Sequence, residues 1–174
     1  MKKLITLAIL AAMVVAVACK SSQNKEQASV NADSVLMLAK TVFQPLPTEA
    51  PNPANAVTPE KVLLGKTLYY DNRLSKNNTE SCNTCHNIAT YGVDNKATSP
   101  GDNGKPGTRN SPTTFNAALH FVQFWDGRMK DVEEQAGGPV MNPAEMAMPA
   151  EKEVIARKKK NEGYVKLFKA AYPN

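Results

Sequence analysis

Apolar positions recur along the chain at the spacing of an α-helix, and no segment shows the alternation of a β-strand. Residues 30–43 carry an apolar side at steps of three and four positions, which predicts a helix over that range. A second helix is predicted to begin at Thr58-Pro59-Glu60, where a capping hydroxyl precedes proline and an acid. The predicted fold class is therefore all-α. The predicted buried side of the second helix consists of Val62, Leu63, Leu68 and Tyr69.

The segments between the helices are irregular. Prolines at every second or fourth position of residues 45–53 predict an extended connector. Residues 95–112 contain three glycines and three prolines, and a loop of that length is usually functional or disordered. Residues 112–124 are apolar and expected to pack, with His120 as a packed histidine among them. Near the chain end, the basic run at residues 157–160 is predicted to be the solvated face of a helix.

The N-terminus has the pattern of an export signal. Lys2 and Lys3 precede an apolar run that is too short to span a bilayer and that ends at Ala16-Val17-Ala18-Cys19. This resembles a bacterial lipoprotein signal over residues 1–18 with lipidation of Cys19, although ordinary cleavage nearby is an alternative. The predicted protein is periplasmic and anchored to the membrane by lipid. Residues 19–56 are predicted to form a tether, a short helix and a proline-rich linker, and residues 57–174 the functional domain.

The net charge does not identify a class of binding partner. It is +5, and two of the positive charges are Lys2 and Lys3 in the segment predicted to be removed. The remaining excess is too small to favour a nucleic-acid partner.

The main chemical signal is the sequence Cys82-Asn83-Thr84-Cys85-His86. A zinc site needs about four ligands, and the chain has only two histidines. A redox disulfide of the thioredoxin type needs a βαβ context that the pattern lacks. Covalent haem accounts for all three residues, because two thiols form thioethers and the adjacent histidine ligates the iron. We therefore expect a cytochrome-c-like domain of short helices and long loops around one haem c, with zinc and disulfide as alternatives.

Further motifs surround this site: LGKTLYYDNRLS before it, then GTRNSPTTFNAA, QFWDGR, EQAGGP and NPAEM after it. Together they closely resemble the N-terminal half of the bacterial di-haem cytochrome c peroxidases, over about residues 57–149. The resemblance implies reduction of hydrogen peroxide to water, with electrons from a small cytochrome or cupredoxin. It also implies a second haem in a C-terminal domain and a homodimer in the full-length form.

The resemblance implies roles for three residues in the peroxide reaction. Glu145 matches a distal acid that moves a proton between the peroxide oxygens, although Asn142 to Glu145 is also typical of a helix capping box. Gln135 matches an amide that hydrogen-bonds peroxide; an exposed helix glutamine is its alternative. Trp125 matches a tryptophan between the two haems; its alternative is a core aromatic residue.

Two further residues are implied to bind cofactors. Arg128 matches a partner of a haem propionate, and its alternative is a surface ion pair. Asn110 matches a contributor to a calcium site between the two domains, and its alternative is an asparagine turn ahead of Pro112.

The chain departs from the family pattern in two ways. Classical members carry a histidine in the loop after the haem motif that caps the iron in the resting enzyme, whereas some branches of the family lack it. Without a gap after His86, that position falls at Asp102, so we expect an uncapped iron. The chain also lacks a second C-x-x-C-H in its 174 residues, so a fragment or a truncated form is expected.

The competing class is a mono-haem electron-transfer cytochrome c. It requires a second axial ligand to the iron, and its methionine candidates are Met129, Met141, Met146 and Met148.

Overall fold

The computed structural model describes residues 31–173, which are helical and contain no β-strand. Single bridges join Pro100 to Pro106 and Gln123 to Met129, and short 3-10 helices cover Asn72–Leu74, Ile88–Thr90 and Ala117–Leu119. The all-α prediction is confirmed. The α-helices of the described residues are α1 (Ala32–Val42), α2 (Pro59–Tyr69), α3 (Cys82–Cys85), α4 (Val132–Met141), α5 (Glu151–Lys159) and α6 (Glu162–Ala171).

The N-terminal predictions are tested only in part. The chain divides into two units between Thr48 and Glu49, and α1 belongs to the first of them. The helix expected over residues 30–43 is present as α1, which begins where the Asn31 side chain accepts the N–H of Asp33 at 2.9 Å. The predicted signal over residues 1–18 and Cys19 lie outside the described residues. The proposed division at residues 18 and 56 stays a prediction.

Within residues 31–173, no helix is both long enough and apolar enough to cross a membrane.

The start of α2 is as predicted, but its buried side is not. The Thr58 hydroxyl accepts the N–H of Lys61 at 3.2 Å, and Pro59 occupies the first turn. Leu64 is buried against α6, in a cluster with Tyr164 and Ala171 that Leu68 also contacts. The predicted burial of Val62 and Leu63 is wrong, since they are 56% and 54% exposed. Because α6 lies on the side of Leu64 and Leu68, four positions apart, the residues just before Leu64 face away from it.

The basic run on α5 is not a uniformly solvated face. Lys158 is only 6% exposed, and its ammonium group pairs with the carboxylate of Asp71 just beyond α2. Arg157 donates to the carbonyls of Ser75 at 2.6 Å and Lys76 at 2.9 Å. The prediction of a solvated face is therefore wrong for these two residues. Both lie where α5 packs on the turn that follows α2, and burial of their charges is compensated by these partners.

The apolar segment at residues 112–124 does not pack as expected. Phe121 is 92% exposed and His120 is exposed, so the prediction of a packed histidine is wrong. The segment is held by hydrogen bonds instead. Gln123 is buried. Its main-chain N–H donates to the carbonyl of Met129, and its side-chain Nε2 donates to the carbonyl of Ala117, each at 2.7 Å.

Candidate functional site

The helix α3 presents two thiols one turn apart. It spans only Cys82–Cys85. Its N-cap is Ser81, whose main-chain N–H donates to the Thr84 hydroxyl at 3.0 Å. Both cysteines are free and partly buried, so no disulfide joins them. Burial raises the pKa of Cys82 and, with the negative charge of Glu80 nearby, the pKa of Cys85 to about 11. Both thiols are therefore protonated at neutral pH in the absence of a bound group.

His86 ends α3 with its ring oriented by a single acceptor. Its Nδ1 lies 2.9 Å from the carbonyl oxygen of Pro112, at the end of the long loop. Because a carbonyl can only accept, Nδ1 carries a proton, and in the neutral ring the lone pair is therefore on Nε2. A histidine oriented in this way is suited to ligate a metal through Nε2.

Tyr69 braces His86 from the main-chain side. Its hydroxyl donates to the carbonyl of His86 and lies 3.2 Å from the hydroxyl of Thr114. Sequence reasoning placed Tyr69 only on an apolar face and missed this contact. The signal was the residue type, because a buried tyrosine hydroxyl usually finds a hydrogen-bond partner.

These residues fit a haem. Haem c requires two thiols for its thioether bonds and an imidazole nitrogen for its iron, and Cys82, Cys85 and Nε2 of His86 supply that set on one short helix. Among residues 31–173, no group of three or more histidine, cysteine, aspartate and glutamate side chains is arranged to hold a metal ion.

Glu145 lies in the turn at residues 142–149 that follows α4. Asn142 ends α4 and its Nδ2 donates to Glu145 Oε1 at 2.9 Å. The capping-box alternative is therefore not formed, because no helix starts at Asn142. Glu145 is half-buried, and its negative charge is among those that raise the pKa of Cys85. The carboxylate therefore lies within electrostatic range of α3.

Gln135 belongs to the same part of the chain as Glu145. It lies in α4 and is half-buried, rather than exposed as its alternative reading required. The structure thus places Gln135 on the helix and Glu145 on the turn that follows it.

Trp125 and Asn110 are in contact at the surface of the described residues. The indole Nε1 donates to the backbone carbonyl of Asn110 at 3.0 Å. Trp125 is 61% exposed, so the core-aromatic alternative is wrong for the described chain. Asn110 is exposed as well.

Arg128 has the geometry of a surface ion pair. It bonds Asp126 at 2.8 Å, and its guanidinium lies 3.5 Å from the centre of the Phe124 ring. The hydrogen bond from Arg128 lowers the pKa of Asp126. The guanidinium is half exposed, so it can also bind an anionic group.

Asp102 occupies the position at which the resemblance places a histidine. It is 7% exposed, and its carboxylate accepts the hydroxyl of Thr79 at 2.7 Å and the N–H of Asn77 at 3.0 Å. In the sequence, this position was noted only because it lacks a histidine. The contacts of Asp102 with Asn77 and Thr79 were not predicted.

The motifs and the fold have counterparts among known proteins. The family model described as "Di-haem cytochrome c peroxidase" matches residues 59–174. The chain is 46% identical to the cytochrome c551 peroxidase of Pseudomonas aeruginosa over 116 residues, which are 66% of this chain and 34% of that protein. It is 47% identical to the cytochrome c551 peroxidase of Nitrosomonas europaea over 122 residues, 67% of this chain and 36% of the relative. The chain thus spans about a third of the length of these curated relatives.

Solved structures show the same fold. The crystal structure of a MauG-like protein associated with microbial copper homeostasis matches with a TM-score of 0.64 and 31% identity, over 75% of this chain and 40% of that one. The di-haem peroxidase BthA from Burkholderia thailandensis matches with a TM-score of 0.59 at 21% identity, over 72% of this chain and 36% of that one, and supports the fold alone.

Proposed function

Because the chain belongs to the di-haem cytochrome c peroxidase family, we propose that it forms the N-terminal, peroxide-reacting part of a peroxidase that reduces hydrogen peroxide to water. The observation that carries the proposal is the set of Cys82, Cys85 and the oriented His86 within the family match. The chain spans about a third of its curated relatives, so activity is proposed for the whole protein.

In this proposal, Cys82 and Cys85 hold haem c through thioether bonds and His86 ligates its iron through Nε2. The bound haem supplies the redox-active iron at which peroxide is reduced. No histidine occurs between His86 and His120, so this segment would supply no second imidazole to the iron and would leave it accessible to peroxide. The Nδ1–H of His86, donated to Pro112, keeps the ring in the ligating tautomer.

The proposed work of Glu145 is proton transfer. Its carboxylate takes a proton from one peroxide oxygen and returns it to the other, so that water is the leaving group. The amide of Gln135 hydrogen-bonds the substrate. Overall, one peroxide, two protons and two electrons give two water molecules, and a small cytochrome or cupredoxin supplies the electrons.

Further parts of the proposal concern the surroundings of the site. Trp125 lies on the route of the electrons, Arg128 pairs with a haem propionate, and Asn110 contributes to a calcium site. The protein is exported to the periplasm by the signal at residues 1–18, held at the membrane through Cys19, and dimeric in its full-length form.

The test uses the natural protein produced in a host that attaches haem c. We expect a haem-stained band on a denaturing gel, and peroxide-dependent oxidation of a reduced small cytochrome. Changing both Cys82 and Cys85 to Ser should abolish the band, and covalent haem in that variant would contradict the attachment.

The ferric spectrum separates the two function classes. High-spin iron is expected for a peroxidase with an open iron face. A low-spin spectrum of histidine–methionine ligation, without peroxide turnover, would favour the electron carrier instead.

A further inference from the structure

The turn that carries Glu145 is tied to two other segments of the chain. We call residues 142–149 the Glu145 turn and residues 75–79 the supporting loop. The carbonyl of Glu145 accepts the N–H of Asp102 at 2.7 Å, and the carbonyl of the next residue, Met146, accepts the N–H of Lys76 at 2.8 Å. Two consecutive carbonyls of the turn are therefore fixed from outside it.

Asp102 connects both of these attachments. While its main-chain N–H donates to Glu145, its carboxylate accepts the N–H of Asn77 at 3.0 and 3.1 Å and the hydroxyl of Thr79 at 2.7 Å. One buried residue thus joins the supporting loop to the Glu145 turn. A buried carboxylate that accepts several hydrogen bonds is held more firmly than an exposed one.

The charge state of Asp102 is consistent with this role. Burial alone would raise the pKa of its carboxyl group, but hydrogen bonds from Thr79 and from the Asn77 amide outweigh that effect and lower the pKa. The group is therefore ionised at neutral pH and acts as an acceptor for all of these donors.

Close packing beside Asp102 leaves the turn little freedom. A Cβ atom on Gly101 would overlap the backbone carbonyl of Ala144, so only glycine lets the two backbones approach to this degree. The residue before Asp102 thus lies directly on the residue before Glu145.

The supporting loop is itself fixed from the far side. Arg157 of α5 donates to the carbonyls of Ser75 and Lys76, and the hydroxyl of Ser75 accepts the amides of Thr79 and Glu80 at 3.1 and 3.0 Å. The series of contacts runs from a helix through the loop and Asp102 to the residue with the proposed acid–base role.

We propose that Asp102 is a positioning residue, which holds the Glu145 turn in one arrangement and thereby aims the Glu145 carboxylate for proton transfer. This rests on the proposed function of Glu145. The side chain of Asp102 is engaged by residues 77 and 79, so in this proposal its effect on the reaction passes through Glu145. A displacement of about 1 Å at a reacting group can slow a reaction about 100-fold, so the anchoring affects the rate as well as the stability.

A double-mutant cycle on the haem-loaded natural protein tests whether Asp102 affects the reaction through Glu145. Asp102→Ala should slow the peroxide reaction about 10- to 100-fold per haem. In a Glu145→Gln background the same change should add no further slowing, because residues that act as a unit are not additive. Asp102→Asn keeps one acceptor oxygen and should retain more of the rate. Asn103→Ala is the control, since Asn103 is exposed and its side chain accepts only within its own turn, from Lys105 N–H at 2.9 Å.

If Asp102→Ala does not fold, the variant Thr79→Val tests the same connection. It removes the 2.7 Å hydrogen bond to Asp102 with little change of shape, and its slowing should likewise vanish in the Glu145→Gln background. A rate within threefold of wild type in folded Asp102→Ala, or in Thr79→Val where Asp102→Ala does not fold, would overturn the proposal. An equal slowing with and without Glu145 would also overturn it.

Hydrogen exchange separates failure of this inference from failure of the proposed function. Peptides that cover residues 142–149 should exchange faster in Asp102→Ala, while peptides from α6 should not. A haem-loaded wild type that does not react with peroxide would remove the proposed function, and faster exchange would still support Asp102 as the anchor of the turn. Unchanged exchange overturns the anchoring, whatever the peroxide reaction shows.

Discussion

At the scale of single residues, His86 and Glu145 are held by different contacts. His86 is oriented by a backbone carbonyl on one side of the ring and braced by the Tyr69 hydroxyl on the main-chain side. Glu145 is held by Asn142 at its side chain and by Asp102 at its main chain. The proposed iron ligand and the proposed acid are therefore set by separate contacts, so a substitution at one should leave the other in place.

The first prediction concerns Glu145. Glu145→Gln removes the group that exchanges a proton while keeping the Oε1 acceptor for Asn142, so the peroxide reaction should slow about 100- to 10,000-fold. Haem attachment and the melting temperature should change little. Stopped-flow absorbance measures the rate, and Glu151→Gln at the exposed start of α5 is the matched control. A rate within threefold of wild type would remove Glu145 from the mechanism.

The second prediction concerns Tyr69. Burial raises the pKa of its phenol, so the hydroxyl remains a donor to His86 at neutral pH. Tyr69→Phe should lower the free energy of unfolding by about 0.5–1.5 kcal/mol and shift the reduction potential of the haem, with attachment retained. Denaturant melts and spectroelectrochemistry measure the two effects.

The neighbouring tyrosine provides the control for that experiment. Tyr70 is half exposed, and its ring packs edge-on against that of Tyr69. Tyr70→Phe therefore also removes a tyrosine hydroxyl, but one residue further along the chain. Equal potential shifts in the two variants would show that the Tyr69 hydroxyl does not act through His86.

At the scale of the helices, the contact of α2 with α5 and α6 depends on a buried charge cluster. The carboxylate of Asp71 accepts from Arg73, Lys158 and Tyr164, and these three partners belong to three different parts of the chain. Burial would raise the pKa of Asp71, but the hydrogen bonds from Arg73, Lys158 and Tyr164 lower it far below its usual range.

The third prediction is the pH dependence of this cluster. The pKa of Asp71 is lower in the folded than in the unfolded state, where it is about 3.9. The stabilisation of the fold by ionised Asp71 is therefore complete at pH values well above about 3.9. It is lost as the pH falls toward the folded pKa. Asp71→Asn should therefore flatten the loss of stability below about pH 4, and at pH 7 should cost about 3–5 kcal/mol because Lys158 is left without its counter-charge. Thermal melts from pH 2 to 7 measure both effects.

The control for Asp71 is Asp126, an exposed aspartate whose pKa is also lowered by an arginine. Asp126→Asn should leave the acid limb of the stability curve close to that of the wild type, because an exposed ion pair contributes little. An identical acid limb in wild type and Asp71→Asn would contradict the buried-cluster account.

Local signals were sufficient to predict the parts of the fold that depend on neighbours in sequence. The cap at Thr58 and the proline after it act over a few positions, and the structure has both as expected. Burial could not be predicted in the same way. Lys158 is buried because Asp71, 87 positions earlier, lies against it, and Trp125 is exposed although its size favoured the core.

The candidate site shows the same division. Cys82, Cys85 and His86 followed from spacing alone, and the resemblance supplied Glu145 and Gln135. The contacts of Tyr69 and Asp102 required the fold, because each joins segments that are distant in sequence. No pattern of residue types marks such a contact in a single sequence.

At the scale of the whole molecule, the fourth prediction concerns the membrane anchor. The small residues before Cys19 are typical of a lipidation site, and a diacylated cysteine supplies the two chains that stable anchoring needs. Cys19→Ala should move the protein from the membrane to the soluble fraction after cell fractionation, with haem content unchanged. A wild-type protein already found in the soluble fraction would contradict the anchor.

The contacts of Arg157 also bear on the timing of biogenesis. Arg157 braces Ser75, 82 positions earlier, so the segment around the thiols reaches its final support only after α5 has been made. Until then, the carbonyls of Ser75 and Lys76 have no guanidinium group to accept from. A chain shortened before α5 should therefore leave the segment that precedes the thiols less ordered, because part of its stability comes from a residue 82 positions away in sequence.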